Sequence, residues 1–324
     1  VGPLSAAVVE LIAGRAPRRL LNRVDARVTN TDPYGLDLQL ALHVCYELHY
    51  RGFAGVDTRW EWNPGLLHLR ALLEDTFEEA LHLEVGVPGE GETAIAEMDA
   101  LSVEPVDGEG LSYFLRDEGT WDQMREYFVH RSIYHLKEGD PHAWLIPRLA
   151  GQAKAAFVAI EFDEYGAGRG ECLHQQLFAD LLRAARLNNG YLAYVDYVPA
   201  ESLLAVNLMS MFGLHRRLRG AAVGHFASTE ITSPPGSQRL LEALQRLGAP
   251  AACRHFYAEH VEADAVHEQV VRTDVVGTLL SMEPELDGDV VFGIRARDLV
   301  EERLSAHMMK SWVSGRSSLR RPVF

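Results

Sequence analysis

Cysteine is nearly absent from this 324-residue chain, and the three present, Cys45, Cys172 and Cys253, lie far apart. With no C-x-x-C pair and no even ladder of cysteines, neither a disulfide framework nor a zinc-type Cys/His set is readable. Buried thiols in a reducing compartment are expected instead. Also missing is any apolar run near the ~18 residues that a membrane helix needs. The opening stretch VGPLSAAVVELIAG has no basic start, no long apolar centre and no small-residue cleavage site, so a soluble, cytoplasmic protein is expected. Basic residues are the minority, 31 Lys and Arg against 46 Asp and Glu, for a formal net charge of −15. Such a chain lacks the field that draws a protein to nucleic acid or anionic lipid, and neither is an expected partner. Its one basic cluster of note is Arg316, Arg320 and Arg321.

Strand-like alternation is scarce as well. Apolar residues recur at helical spacing almost throughout, and at 47% hydrophobic the chain has ample material for a buried core. The pattern predicts helices over 37–50, stopped by Gly52, and over 63–83, started by Asn63-Pro64. Further helices are predicted over 120–138, from Asp140-Pro141 to Gly151, and over 152–165, 171–188 and 200–218. The remainder are 220–231, ended by Pro234-Pro235, then 237–247, 249–282 with a break near Val276-Gly277, and 288–306. The Gly/Pro/Glu-rich stretch 84–110 is the clearest internal boundary. The division read here is an N-terminal helical extension (1–118), a core (119–306) and a basic C-terminal tail (307–324) expected to be disordered. No fixed-period repeat, P-loop, G-x-S-x-G or H-E-x-x-H is present, and Gly166-Ala-Gly168-Arg-Gly170 does not have the spacing of a dinucleotide loop.

Fourteen histidines accompany the forty-six acids, and the question is which of them converge. The strongest local signal is His260-Val-Glu-Ala-Asp264-Ala-Val-His267. At about 100° per residue, positions 260, 264 and 267 fall at roughly 0°, 40° and −20°, a single narrow stripe shared with Phe256 and Val271. Aromatic and β-branched residues argue against a solvated face. Two histidines and an aspartate on a buried one require compensation, which a metal ion or an intrahelical Asp–His pair supplies. Glu164 and His174 flank the GAGRG turn, and Glu161, Asp163 and Glu164 crowd a helix C-terminus whose dipole favours cations. Glu230, in GHFASTEITSPPG, and Glu138, in YHLKEGDPH, are further carboxylates near helix ends. Singly, each is equally well an exposed acidic residue. Together they fit the recipe in which carboxylates and imidazoles from several helices hold two metal ions in a bundle.

Two arrangements compete. Glu171-x-x-His174 and Asp264-x-x-His267, with Glu138 and Glu230 ahead of them, approach the ferritin-like order, although Asp264 stands where Glu belongs and His260 has no place in it. The order Glu164/His174, Glu230, His260-x-x-x-Asp264-x-x-His267, with Glu138 upstream, resembles instead the heme-oxygenase-like diiron oxidases and oxygenases, over about 120–300. That resemblance implies an all-α, heme-oxygenase-like helical bundle. It implies two Fe(II) ions that react with O2, with Mn as the admissible substitute, held by Glu138, Glu164, His174, Glu230, His260, Asp264 and His267. It also implies a small amine- or carboxylate-bearing substrate, in a natural-product pathway, that undergoes N-oxygenation, desaturation or carbon–carbon cleavage. The seven-ligand set points toward N-oxygenation. An external electron donor and a homodimer are compatible with this reading, and a non-catalytic metal-binding helical protein is the alternative of a different class. Four carboxylates balance two ferrous ions, so the buried site can be neutral. Met209, Met211 and Phe212 are read as core or as lining of the substrate pocket, and the helix carrying His43, Glu47 and His49 as packing or pocket wall.

Overall fold

The computed structural model describes residues 2–17, 28, 30–103 and 108–323, the side chains of 262–265 excepted. Its described residues form helices and turns without a strand. In chain order the helices are α1 (Pro3–Ile12), α2 (Leu36–Glu47), α3 (Pro64–Val85), α4 (Ala94–Leu101) and α5 (Leu111–Asp117). There follow α6 (Trp121–His135), α7 (Asp140–Ala143), α8 (Gly151–Glu164), α9 (His174–Ala184) and α10 (Ala200–Leu214). The last are α11 (Arg219–Arg246), α12 (Ala251–Val270), α13 (Thr278–Met282) and α14 (Asp287–Val313), with a π-helical segment, Val271–Gly277, between α12 and α13. None of them is long and apolar enough to cross a membrane.

Local chemistry sets several of these boundaries. The Asn63 carboxamide oxygen accepts from the amides of Gly65 and Leu66, satisfying two of the donors that a helix start leaves open. Thr120 and Gln123 close a reciprocal capping box at the start of α6. The expected Pro-Pro stop is not one, because α11 runs unbroken through Pro234 and Pro235. Two prolines remove two backbone donors and crowd the preceding turn. Tertiary packing overrides that cost, since the buried residues before the prolines (Phe226, Ala227, Ile231) and after them (Leu240, Ala243, Leu244) belong to one core. As a consequence Glu230 sits in mid-helix rather than at a helix end. The break expected near Val276-Gly277 takes the form of the π segment, a widened turn directly after α12.

α11 is the spine of the bundle, packed along α14 and α12, with α5 and α4 also against it. Its contact with α14 is made by backbone. A Cβ on Gly224 would lie 2.0 Å from the carbonyl oxygen of Val290, and one on Gly293 would lie 2.0 Å from that of Ala221. Glycine is required at both positions because the helix axes approach more closely than any side chain allows. The N-terminal helices pack on the same body, α2 against α1 and α10, and α3 against α14.

The C-terminal residues depart from expectation. Residues 307–313 continue α14, and Ser318 is buried. The carboxylate of Glu126 accepts from Trp312 Nε1 (2.8 Å), Ser318 N (2.8 Å) and Ser318 Oγ (2.6 Å). The Arg320 amide donates to the Tyr197 carbonyl at 2.8 Å. A buried anion on α6 therefore holds the tail, which serine-rich composition alone does not reveal.

This packing can be tested at two positions. Gly224→Ala, which forces α11 off α14, should destabilise by at least the ~1–3 kcal/mol of an overpacked core, read as a fall in the thermal midpoint or loss of soluble protein. Ser318→Ala removes one donor to a buried carboxylate and should cost about 1.5–3 kcal/mol in denaturant unfolding; an unchanged midpoint would show that the tail is not held by Glu126.

Candidate metal centre

Three helices and one turn bring the candidate ligands together. Glu138 lies in the turn after α6, Glu164 at the end of α8, His174 at the start of α9 and His260 in mid-α12. All four are buried, and one ligand atom from each lies within 4.8 Å of the others. Glu164 Oε2 is 2.8 Å from His174 Nδ1, and Glu138 Oε1 is 3.6 Å from His260 Nε2. The His174 and His260 rings stand 4.5 Å apart, centroid to centroid.

The ring of His260 is oriented by its own helix. Nδ1 lies 2.8 Å from the carbonyl of Phe256 and donates to it, so in the neutral ring Nε2, the nitrogen facing Glu138, carries the lone pair. Glu138 Oε1 also accepts from His135 Nδ1 at 2.7 Å. Burial alone raises the Glu138 carboxyl, but the His135 and His260 imidazoles outweigh it and hold the group well below the usual carboxylate range. His174 is driven down by burial and up by Glu164, and the carboxylate prevails.

Beside this cluster lies a second grouping. His267, 3% exposed, places Nδ1 3.3 Å from Glu230 Oε2 and Nε2 3.2 Å from Asp163 Oδ2. The side chain of Asp264 lies outside the described residues. The two groupings share an electrostatic environment. Burial and the carboxylates of Glu138, Glu164, Glu161 and Glu230 together push the hydroxyl of Tyr134 well above the ordinary phenol range. Tyr134 therefore stays protonated at neutral pH.

These donors fit a first-row transition metal. Mixed carboxylate and imidazole ligation suits iron or manganese, and the buried Oε2 of Glu138 has no hydrogen-bond partner, a cost that a bound cation removes. The ferritin-like alternative fares worse, because Glu171 is exposed in the turn before α9 while His260 stands inside the cluster.

Behind the candidate ligands a polar frame holds the turn that carries Glu138. Gln175 Nε2 donates to the Glu138 carbonyl at 2.9 Å and to Asp140 Oδ1 at 3.1 Å. Lys137, 1% exposed, donates to Glu47 Oε2 at 2.9 Å, and the Tyr191 hydroxyl donates to Glu47 Oε1 at 2.6 Å. Glu47 on α2 thus braces the turn that carries Glu138 from behind and does not line the cavity beside it.

That cavity, about 380 Å³, opens onto Glu138, His135 and His260. Phe256, Tyr257 and Met209 form apolar wall, and Arg131, Arg239, Arg297 and Glu301 polar wall. Of the three residues read as core or lining, Met209 lines it. Met211 and Phe212 are fully packed core. The 1–118 segment contributes its share of wall through Gly110, Leu111, Ser112 and Tyr113 at the start of α5. Arg131 and Glu301 form a two-pronged pair in that wall, 2.8 and 2.6 Å, and Arg131 outweighs burial to hold the Glu301 carboxyl down at about 2.

His135, Tyr134 and the arginine wall escaped the sequence reading. His135 does carry a signal, since it lies three residues before Glu138. The arginines carry none, because α6, α11 and α14 contribute one each.

Comparison with known proteins bears on this site directly. Residues 125–302, more than half of the chain, match the family described as iron-containing redox enzyme. Nitrosourea synthase of Streptomyces achromogenes subsp. streptozoticus is 24% identical over 180 residues, which are 56% of this chain and 37% of that protein. The match thus spans little more than a third of the relative's length. Every candidate ligand falls inside the matched region. The chain belongs to the iron-containing redox enzyme family and has its all-α, heme-oxygenase-like fold.

Proposed function

We propose that this protein is a non-heme diiron oxygenase or oxidase that uses O2 on a small amine- or carboxylate-bearing metabolite in a natural-product pathway. The observation that carries the reading is the buried Glu138/Glu164/His174/His260 cluster, with Glu230–His267 beside it, at the end of a walled cavity. The seven proposed ligands are Glu138, Glu164, His174, Glu230, His260, Asp264 and His267. The division into an extension (1–118) and a metal-binding core (119–306) belongs to the same proposal.

When bound, the ions supply electrons for O2 reduction and Lewis acidity. The chain's own residues do the rest. His135 orients Glu138 through its Nδ1–H, and the Phe256 carbonyl fixes the ring of His260. Phe178 and Phe256, packed at 5.1 Å, keep water from the imidazole side. Tyr134, protonated and facing the cavity, can deliver a proton beside the reacting group. Arg297, paired with Asp298, and Arg239, bonded to Ser112, also line the cavity, and their guanidinium groups suit a substrate carboxylate. N-oxygenation is the reaction that this reading favours, and the likeness to nitrosourea synthase supports it.

Anaerobic Fe(II) titration of the wild type should reach about two ions per chain, the stoichiometry of a two-metal site. Exposure to O2 should then produce a new visible or near-ultraviolet absorbance, and His260→Ala should lose at least one ion. Binding of fewer than two irons by the wild type, or unaltered binding by His260→Ala, would overturn the assignment.

A further inference from the structure

One buried acid remains outside the ligand set. Glu161 is 2% exposed, and neither of its carboxylate oxygens has a hydrogen-bond partner. It lies one turn before Glu164 on α8, so both carboxylates project from the same helix face. Its Oε2 is 3.5 Å from the point that a Cβ on Gly139 would occupy, which places it against the turn that carries Glu138. Gly139 has φ of 83°, a left-handed conformation that glycine permits at this turn. Burial pushes the Glu161 carboxyl well above its ordinary range, and Glu164, Glu230 and Asp140 push it further in the same direction. The ammonium of Lys137, in the turn that carries Glu138, is committed to Glu47.

A buried carboxylate with two orphaned oxygens, surrounded by like charges, needs a cation. We propose that Glu161 is a further ligand of the iron centre. This rests on the diiron reading above. With Glu161 the acidic donors exceed by one the charge of two ferrous ions and fall one short of that of two ferric ions. Its binding therefore favours the oxidised pair.

The test compares wild type, Glu161→Gln and Glu161→Asp in three measurements: anaerobic Fe(II) titration, iron retained after air oxidation and desalting, and visible absorption with Co(II) in place of iron. Glu161→Gln should weaken binding of one ion at least tenfold, lose ferric iron more readily than the wild type and shift the Co(II) bands. Without metal it should melt at a temperature equal to or above that of the wild type, because a repelled acid has been removed. Glu161→Asp keeps the charge with a shorter reach and should bind with intermediate affinity. Two irons bound by Glu161→Gln with wild-type affinity and unchanged Co(II) bands would overturn the assignment of Glu161 alone. A wild type that binds fewer than two irons would overturn the diiron reading and this inference with it.

Discussion

Several carboxylates of one sign buried in a helical bundle are the constraint around which this protein is arranged. Glu138, Glu161, Glu164 and Glu230 are each at most 7% exposed, and their mutual repulsion is large in a medium of low dielectric. The surrounding structure reads as a response to that repulsion. Imidazoles from α9 and α12 stand between the acids, His135 donates to Glu138, and the closed ion pairs Lys137–Glu47 and Arg131–Glu301 keep other charges locally neutral. What remains uncompensated is the charge that a cation would balance.

Holding such a site requires rigid elements, and the bundle supplies them by close contact rather than by bulk. The backbone contact of α11 with α14 at Gly224 and Gly293 places Glu230 and the Arg297–Glu301 wall on two helices that cannot slide independently. The turn carrying Glu138 ends on Gly139, the residue that precedes α7. It is held by Gln175 from the helix that bears His174 and by Glu47 from an N-terminal helix. Among its described residues the N-terminal segment therefore adjoins the candidate site through a buried ion pair behind the turn and the α5 wall of the cavity.

Helical periodicity located most elements, and the cap residues Asn63 and Thr120 marked two starts with the hydrogen bonds expected of them. It failed where tertiary packing overrode a local signal. Pro234-Pro235 does not end α11, because apolar residues on both sides of it share one core. The tail does not fray from 307, because the distant acid Glu126 captures Ser318 and Trp312.

The amino-acid sequence by itself determined the helical class and the candidates for the metal site. His260 and His267 were candidates because helical geometry converts spacing into a shared face, a conversion that needs no knowledge of neighbours, and Glu164 and His174 because they flank one turn. Only the tertiary structure decided which acids lie side by side, since convergence of α6, α8, α9, α11 and α12 is a property of packing between elements far apart in the chain. It placed Glu171 outside and Glu161 inside, although both sit near the same turn and look alike in sequence. The physical reason is burial. A carboxylate in water needs no partner, whereas the same group sealed under Gly139 and beside Glu164 does.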